Sequence, residues 1–214
     1  MFKKLLAVTF AAAVWFASMF TIPGGALWAL TPMGVSLAES RLPSGPDGFW
    51  QLFASAPLLL IVGVIGLHWR GMTGSVTGSG WLRWIAFLVA LAGFVMVAAG
   101  NVGQFWLGLD DTFILTAPAY RALRIGLFAA AAGMLLVGVS ALKDRTIPSW
   151  TVPPFLVGAL GGFVAFTADL GATGAMLWAL FGFSWVWLGV VVFFQDVLRL
   201  ALGRFGKPAA KESG

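Results

Sequence analysis

Residues 84–100 read WIAFLVALAGFVMVAAG, an uncharged run that ends at the polar residues Asn101 and Gln104. With its flanks it forms an apolar segment over residues 82–104, and about 20 apolar residues are the length of an α-helix that crosses a bilayer. The run is continuous and rich in alanine, whereas a strand of a membrane β-barrel alternates between apolar and polar residues. We therefore interpret this segment as a transmembrane helix with a polar end.

Apolar segments of similar length recur along the whole chain. The chain has 214 residues, of which 60% are hydrophobic and 10% are charged, whereas a soluble domain carries about 25% charged residues. This composition predicts an all-α integral membrane protein, with a single domain of six transmembrane helices over residues 1–206 and a disordered cytoplasmic tail over residues 207–214. The predicted spans are residues 4–22, 49–69, 82–104, 120–142, 152–170 and 174–203.

The beginning of the chain allows two interpretations. Residues 1–16, MFKKLLAVTFAAAVWF, have the basic start and the apolar stretch of a signal peptide. A small-x-small cleavage site does not follow, because Leu27 and Trp28 interrupt the best candidates. We therefore interpret residues 4–22 as the first span and keep cleavage as the alternative. Residues 23–48 are then predicted to be the longest loop, with the piece ALWAL lying on the membrane surface.

Lysine and arginine residues are divided unequally between the two predicted sides. With the N-terminus inside, ten of them lie on the inner side and three on the outer side. Because cytoplasmic loops carry the excess of basic residues, we predict a multi-pass protein of the inner (plasma) membrane with both termini in the cytoplasm. The ten inner residues are Lys3, Lys4, Arg70, Arg83, Lys143, Arg145, Arg199, Arg204, Lys207 and Lys211, and the three outer residues are Arg41, Arg121 and Arg124.

Two parts of the chain resemble each other. Residues 59–70, LLIVGVIGLHWR, are similar to residues 134–145, MLLVGVSALKDR, and residues 90–101, ALAGFVMVAAGN, are similar to residues 159–170, ALGGFVAFTADL. The order and spacing of these blocks favour a parallel duplication in which the second and third spans correspond to the fourth and fifth. The alternative is a chance match within the small alphabet of membrane helices.

Polar side chains gather at the predicted outer ends of the spans. Asn101 and Gln104 are three residues apart and share a helix face, and the repeat places Asp169 at a similar depth. Because polar side chains in hydrocarbon usually face the interior of a bundle, we expect a site for a cation or a polar headgroup here, with a solvated interface as the alternative. The predicted binding residues are Asn101, Gln104, Asp169, Arg121 and Arg124, whereas Asp110 and Asp111 are interpreted as ordinary loop residues.

Small and aromatic residues indicate how the helices pack. Trp178 and Trp185 are seven residues apart, so one face of the sixth span is aromatic. We expect this face to contact lipid, with a partner subunit or a pigment-like ligand as alternatives. Glycine stripes in the fourth and fifth spans allow close helix approach. The predicted helix-packing glycines are Gly133, Gly138, Gly158, Gly161 and Gly162.

The side chains that most catalytic or metal sites need are scarce. His68 is the only histidine, predicted at headgroup level, and there is no cysteine. One histidine supplies neither a bis-histidine haem nor a histidine-rich metal site. No predicted span carries a charge at its centre, so a proton relay is not indicated. We therefore predict no metal and no cofactor. The net charge of +5 lies mostly at helix ends, so nucleic acid is not a predicted partner.

Three functional hypotheses remain. The first is a non-enzymatic membrane protein, either an accessory or structural subunit or a binder of lipid or a small apolar ligand, with membrane lipids and a protein partner or a second copy as its contacts. The second is a small transporter or channel with its outer mouth near Asn101, Gln104 and Asp169. The third, an enzyme acting on lipids through Asp110, Asp111 or Asp169, has the least support. A dry bundle centre favours the first hypothesis, and polar faces aligned along one axis favour the second.

Overall fold

The structure is a computed structural model that describes residues 2–41, 47–73, 80–109, 117–144, 149–167 and 171–205. These residues are helical almost throughout, without strands. Six stretches are long and apolar enough to cross a membrane, as predicted. The helices are α1 (Phe2–Met19), α2 (Thr21–Arg41), α3 (Asp47–Phe53), α4 (Ser55–Thr73), α5 (Gly80–Asn101), α6 (Pro118–Asp144), α7 (Val152–Thr167) and α8 (Gly171–Phe205), with a π-helical segment at Val102–Trp106 and a 3-10 turn at Ser149–Thr151.

The long helices form a ring in chain order. From α4 to α8 each packs against the next, and α2 closes the ring by packing against both α4 and α8. Helix α1 continues along α4. We call the end of the bundle that carries Val102–Trp106 the π-helix end and the opposite end the His68 end. In this ring α5 and α8 lie on opposite sides, and their side chains meet in the middle, where the rings of Phe94 and Trp185 are 5.5 Å apart.

The first span differs from the prediction. The apolar helical stretch does not end at residue 22 but continues as far as Val35 among the described residues, and most of the predicted surface loop, residues 23–48, belongs to helix α2. The α-helical pattern is interrupted at Phe20, between α1 and α2. Pro23 has no N–H to donate to the carbonyl of Met19, and the N–H of Phe20 donates to the carbonyl of Ala17 over 3.1 Å.

The residues that suggested a turn, Gly24 and Gly25, allow close packing of α2. A Cβ atom at Gly24 would lie 2.9 Å from Cγ of Leu60 on α4. A Cβ atom at Gly25 would lie 2.9 Å from Cβ of Trp185 on α8. Small residues at these positions bring the backbone of α2 against both neighbours, which buries Trp28 completely.

The predicted helix-packing glycines of α6 and α7 lie at helix contacts. Cβ atoms built on them would meet Ala90 at Gly133, Leu156 at Gly138, Ser184 at Gly158, Leu180 at Gly161 and Phe181 at Gly162. The contact at Gly161 is the loosest, at 3.3 Å from Leu180 Cδ2. At Gly133 the nearest atoms belong to the backbone of Ala90, so a side chain there would push α5 and α6 apart, whereas at the other three positions it would first meet a side chain.

The expectation that the aromatic face of α8 contacts lipid is wrong. Trp185 is fully buried, and its ring packs edge-on against Phe94 and Phe155 at 5.5 and 5.2 Å. Trp178 is half-buried and stacks at 5.7 Å on Trp28. The face points inward because α2 forms part of the ring and supplies Trp28 as an aromatic partner.

Candidate functional site

An aromatic cluster fills the bundle from its middle toward the π-helix end. Trp28 of α2 lies at its centre, and other rings lie around it at the separations typical of aromatic pairs in proteins. The ring centroids are 4.8 Å away for Phe53, 5.0 Å for Phe181, 5.7 Å for Trp178, 5.8 Å for Phe94 and 6.5 Å for Phe166. These rings come from α3, α5, α7 and α8, so through Trp28 helix α2 packs against all four of these helices.

Three tryptophans in this cluster leave their polar atom unused. The indole N–H groups of Trp28, Trp178 and Trp185 are buried and have no hydrogen-bond acceptor within the described part of the chain. A buried donor without a partner costs about 1–3 kcal/mol, and buried indole N–H groups usually find one. These three buried donors therefore lack an acceptor that the described residues supply.

Asn101 is the most unusual polar residue of the bundle. Its side chain is completely buried, and neither its amide nitrogen nor its amide oxygen has a partner among the described residues. It is seven residues from Phe94 and therefore lies on the same face of α5, the face that points toward Trp28 and Trp185. Gln104, one turn further along, is also buried, and its amide oxygen has no partner there either.

The backbone next to Asn101 departs from α-helical geometry. Residues Val102–Trp106 form a π-helical segment, in which Leu107 N–H donates to the carbonyl of Val102 over 3.0 Å. Gln51 of α3 holds this segment, because its Nε2 donates to the carbonyl of Phe105 over 2.9 Å and its own carbonyl accepts from Trp106 Nε1 over 3.1 Å. π-Turns occur at the C-termini of helices, so this segment terminates α5 just after Asn101, and Gly108 with a φ of 59° follows it.

The other predicted binding residues do not join Asn101 and Gln104. Arg121 and Arg124 lie on the side of α6 that faces away from α5, whereas Ala119 and Leu123 on the opposite side contact Gly103 and Gly100. The guanidinium groups of Arg121 and Arg124 are exposed and half-exposed respectively. The predicted residues thus separate into an interior pair and a surface pair. Asp169, Asp110 and Asp111 lie outside the described residues.

Five buried hydroxyl groups inside the bundle already donate a hydrogen bond. They belong to Ser18, Thr21, Thr31, Ser140 and Ser184. Each donates to a backbone carbonyl three or four residues earlier, over 2.7 to 2.9 Å. Their hydrogens are therefore not available to a ligand. In the described part of the chain, the buried side-chain polar atoms without a partner belong to the three tryptophans, to Asn101 and Gln104, and to His68 at the other end.

His68 is buried between aromatic neighbours, two residues before Arg70 at the end of its apolar stretch. Its side chain is only 6% exposed, its ring stacks on Phe87 at 4.1 Å, and Trp84 approaches it at 4.4 Å. Neither ring nitrogen has a hydrogen-bond partner in the described ranges. Within those ranges no group of histidine, aspartate or glutamate side chains could hold a metal ion.

We expect His68→Phe to raise the free energy of unfolding by about 1 kcal/mol, because phenylalanine keeps the ring stack and removes two unpartnered polar atoms. Thermal unfolding followed by tryptophan fluorescence in detergent measures this. The matched variant His68→Leu removes the same nitrogens but loses the stacking, so it should gain less. A lower melting temperature for His68→Phe than for the native chain would show that the imidazole has a hydrogen-bond partner.

Two residues of this site were missed by sequence reasoning. Trp28 falls in a predicted loop, although Thr21, Trp28 and Val35 follow one another at intervals of seven residues, which is a helical spacing. Gln51 carried no signal in the sequence, since its role depends on the approach of α3 to Val102–Trp106.

Comparisons of the chain with protein-family models, with curated proteins and with solved structures find no match.

Proposed function

We propose that this is a non-enzymatic integral membrane protein that binds a small, membrane-soluble ligand at the π-helix end of the bundle, between the aromatic cluster and Asn101. The ligand has an apolar body and at least one hydrogen-bond acceptor. The observation that carries the proposal is the group of buried polar atoms without partners on Trp28, Trp178, Trp185 and Asn101. Such atoms in a folded protein call for an occupant, either water or a bound molecule.

The surroundings of these atoms favour an organic ligand over water alone. Ligand sites in proteins combine apolar and aromatic walls with a few polar groups that fix orientation. The aromatic cluster supplies such walls, and the indole and amide N–H groups supply donors. A water molecule bonds only polar partners and gains nothing from the aromatic rings around these donors, whereas an organic ligand can contact both.

The transporter hypothesis has less support than the binder hypothesis. A pathway needs polar groups aligned from one end of the bundle to the other. The middle of the ring is instead filled by Phe94, Phe155 and Trp185, and the nearby hydroxyl of Ser184 is bonded to the carbonyl of Leu180. These contacts favour a closed binding site. An accessory role in a larger membrane complex is compatible with the same site.

The distribution of basic residues supports an orientation in which both termini face the cytoplasm of the plasma membrane, since ten of thirteen lysines and arginines then lie inside. In that orientation the π-helix end is the outer end. The parallel duplication of the second and third spans as the fourth and fifth remains part of the proposal, supported by the two pairs of similar sequence blocks. Both hairpins lie within the same ring.

Benzophenone and diphenylmethane test the site, because they share an apolar aromatic body and only benzophenone carries a carbonyl acceptor. We expect the purified protein in mild detergent to bind benzophenone more tightly than diphenylmethane. Asn101→Leu should weaken benzophenone binding about tenfold, the equivalent of one buried hydrogen bond, and should leave diphenylmethane binding unchanged. Titration calorimetry measures both affinities, and ultraviolet cross-linking of benzophenone identifies the contacted peptides.

Gln195→Leu is the matched control, since it makes the same kind of substitution on α8 at the opposite end of the bundle. It should bind both compounds like the native chain. Equal affinity of the native chain for the two compounds, or cross-links only on lipid-facing peptides, would contradict the proposal. Native mass spectrometry of the protein as purified adds an independent readout, since a retained small molecule should be lost in Asn101→Leu.

A further inference from the structure

A groove on the outside of the bundle carries positive charge next to apolar walls. It is an open depression on the surface of α6 that faces away from α5, near the π-helix end, with a volume of about 220 Å³. Its lining residues are Tyr120, Arg121, Arg124, Ile125 and Phe128. This surface is separate from the interior site of Asn101, and nothing in the proposed function depends on it.

The groove is cationic near the start of α6 and apolar further along the helix. Arg121 lies in the first turn of α6, which begins at Pro118. Phe128 lies seven residues further along, about 10 Å deeper at the helical rise of 1.5 Å per residue. Ile125, between them, is 51% exposed. Cationic groups therefore lie at the end of the span and apolar groups lie at the depth of the hydrocarbon, which is the order of groups along a phospholipid.

The guanidinium of Arg124 is held in place by its neighbours on the helix. Nη1 donates to the hydroxyl of Tyr120 over 3.2 Å. The guanidinium carbon lies 5.9 Å from the ring centroids of both Tyr120 and Phe128, one turn before and one turn after it, within the range of cation–π contacts. The bond to Tyr120 uses one of five N–H donors, so the guanidinium at the groove keeps further donors for a ligand.

The position of these cations at the beginning of a helix favours an anionic occupant. The N-terminal end of a helix carries partial positive charge, so cations in its first turns are disfavoured and anions are stabilised. Arg121 and Arg124 both add charge of the disfavoured sign. A phosphate group between the two guanidiniums would remove this repulsion and accept charge-assisted hydrogen bonds from them.

We propose that this groove is a binding site for one anionic phospholipid, whose phosphate contacts Arg121 and Arg124 and whose acyl chain lies along Ile125 and Phe128. The commitment is to an intact lipid and not to a free phosphate, because most of the groove's lining is apolar. The phenol of Tyr120 holds Arg124 in position and does not itself need to contact the lipid.

Native mass spectrometry of the full chain in detergent tests the site by titration with dioleoylphosphatidylglycerol and, separately, dioleoylphosphatidylcholine. We expect the first phosphatidylglycerol to bind about tenfold more tightly than phosphatidylcholine. Arg124→Gln and Arg121→Gln should each reduce this preference several-fold. Lys143→Gln, which removes one exposed positive charge from the other end of the same helix, should keep it.

Each other outcome overturns the proposal. Equal affinity of the native chain for the two lipids would exclude selection of the anionic headgroup. An equal loss of preference in Lys143→Gln would reduce the effect to net charge. Displacement of phosphatidylglycerol by glycerol phosphate at an equal concentration would show that the groove binds phosphate without using the acyl chain. The benzophenone affinity of Arg124→Gln should stay at the native value, which separates this site from the interior one.

Discussion

Replacing Trp28 by alanine is expected to lower the free energy of unfolding by about 3–5 kcal/mol, the usual cost of truncating a buried aromatic residue to alanine. The side chain is completely buried, and it contacts five other aromatic rings that come from four helices. Its loss would leave a cavity at the junction of α2 with the rest of the ring. Thermal unfolding in detergent and retention of monodispersity on a sizing column measure the effect.

Two further variants make this prediction specific. Trp81→Ala removes a tryptophan that is 67% exposed and should change the stability by less than about 0.5 kcal/mol. Trp28→Phe keeps an aromatic ring but removes the indole N–H, so it should retain most of the stability while weakening benzophenone binding. If Trp28→Ala were as stable as Trp81→Ala, α2 would not be part of the packed ring, and residues 23–48 would be the surface loop that the sequence suggested.

The later spans were predictable because uninterrupted hydrophobic runs mark them. Helices α4 (Ser55–Thr73) and α5 (Gly80–Asn101) overlap the predicted residues 49–69 and 82–104. The first span could not be placed in this way. Pro23 followed by two glycines normally indicates a turn, and only the approach of α4 and α8 shows that these residues form a tightly packed helix. Local sequence cannot show which neighbours will make small residues necessary.

The sequence alone predicted Asn101 as a residue of the candidate site, but it did not predict which residues lie next to it. Asn101 stands out because an amide side chain at the end of an apolar run is costly unless it faces the interior. Whether Asn101 lies near Trp28 depends on how α2 and α5 are placed within the ring. The grouping of Asn101 with Arg121 and Arg124 rested on depth alone, and depth does not distinguish the inner face of one helix from the outer face of the next.

Helices α5 and α6 approach each other along glycines spaced by seven residues, Gly93 and Gly100 on α5 and Gly126 and Gly133 on α6. A Cβ atom at Gly133 would lie 2.7 Å from Cβ of Ala90, and one at Gly126 would lie 2.6 Å from the backbone nitrogen of Val97. Because backbone atoms cannot rotate away as side chains can, a methyl group here must move a helix.

Gly133→Ala is therefore expected to lower the free energy of unfolding by about 1–3 kcal/mol through overpacking, although alanine is the better helix former by about 1 kcal/mol. Gly80→Ala, at the start of α5 where a Cβ atom would meet none of the described residues within 4 Å, should leave the melting temperature unchanged or raise it. The same substitution should thus change the stability in opposite directions at the two positions, which separates the effect of packing from that of helix propensity.

Because α5 also carries Asn101, a displaced α5 should weaken benzophenone binding in Gly133→Ala without any change to the residues of the site. Native affinity combined with a lowered melting temperature would show that the strain is relieved by movement of α6 alone.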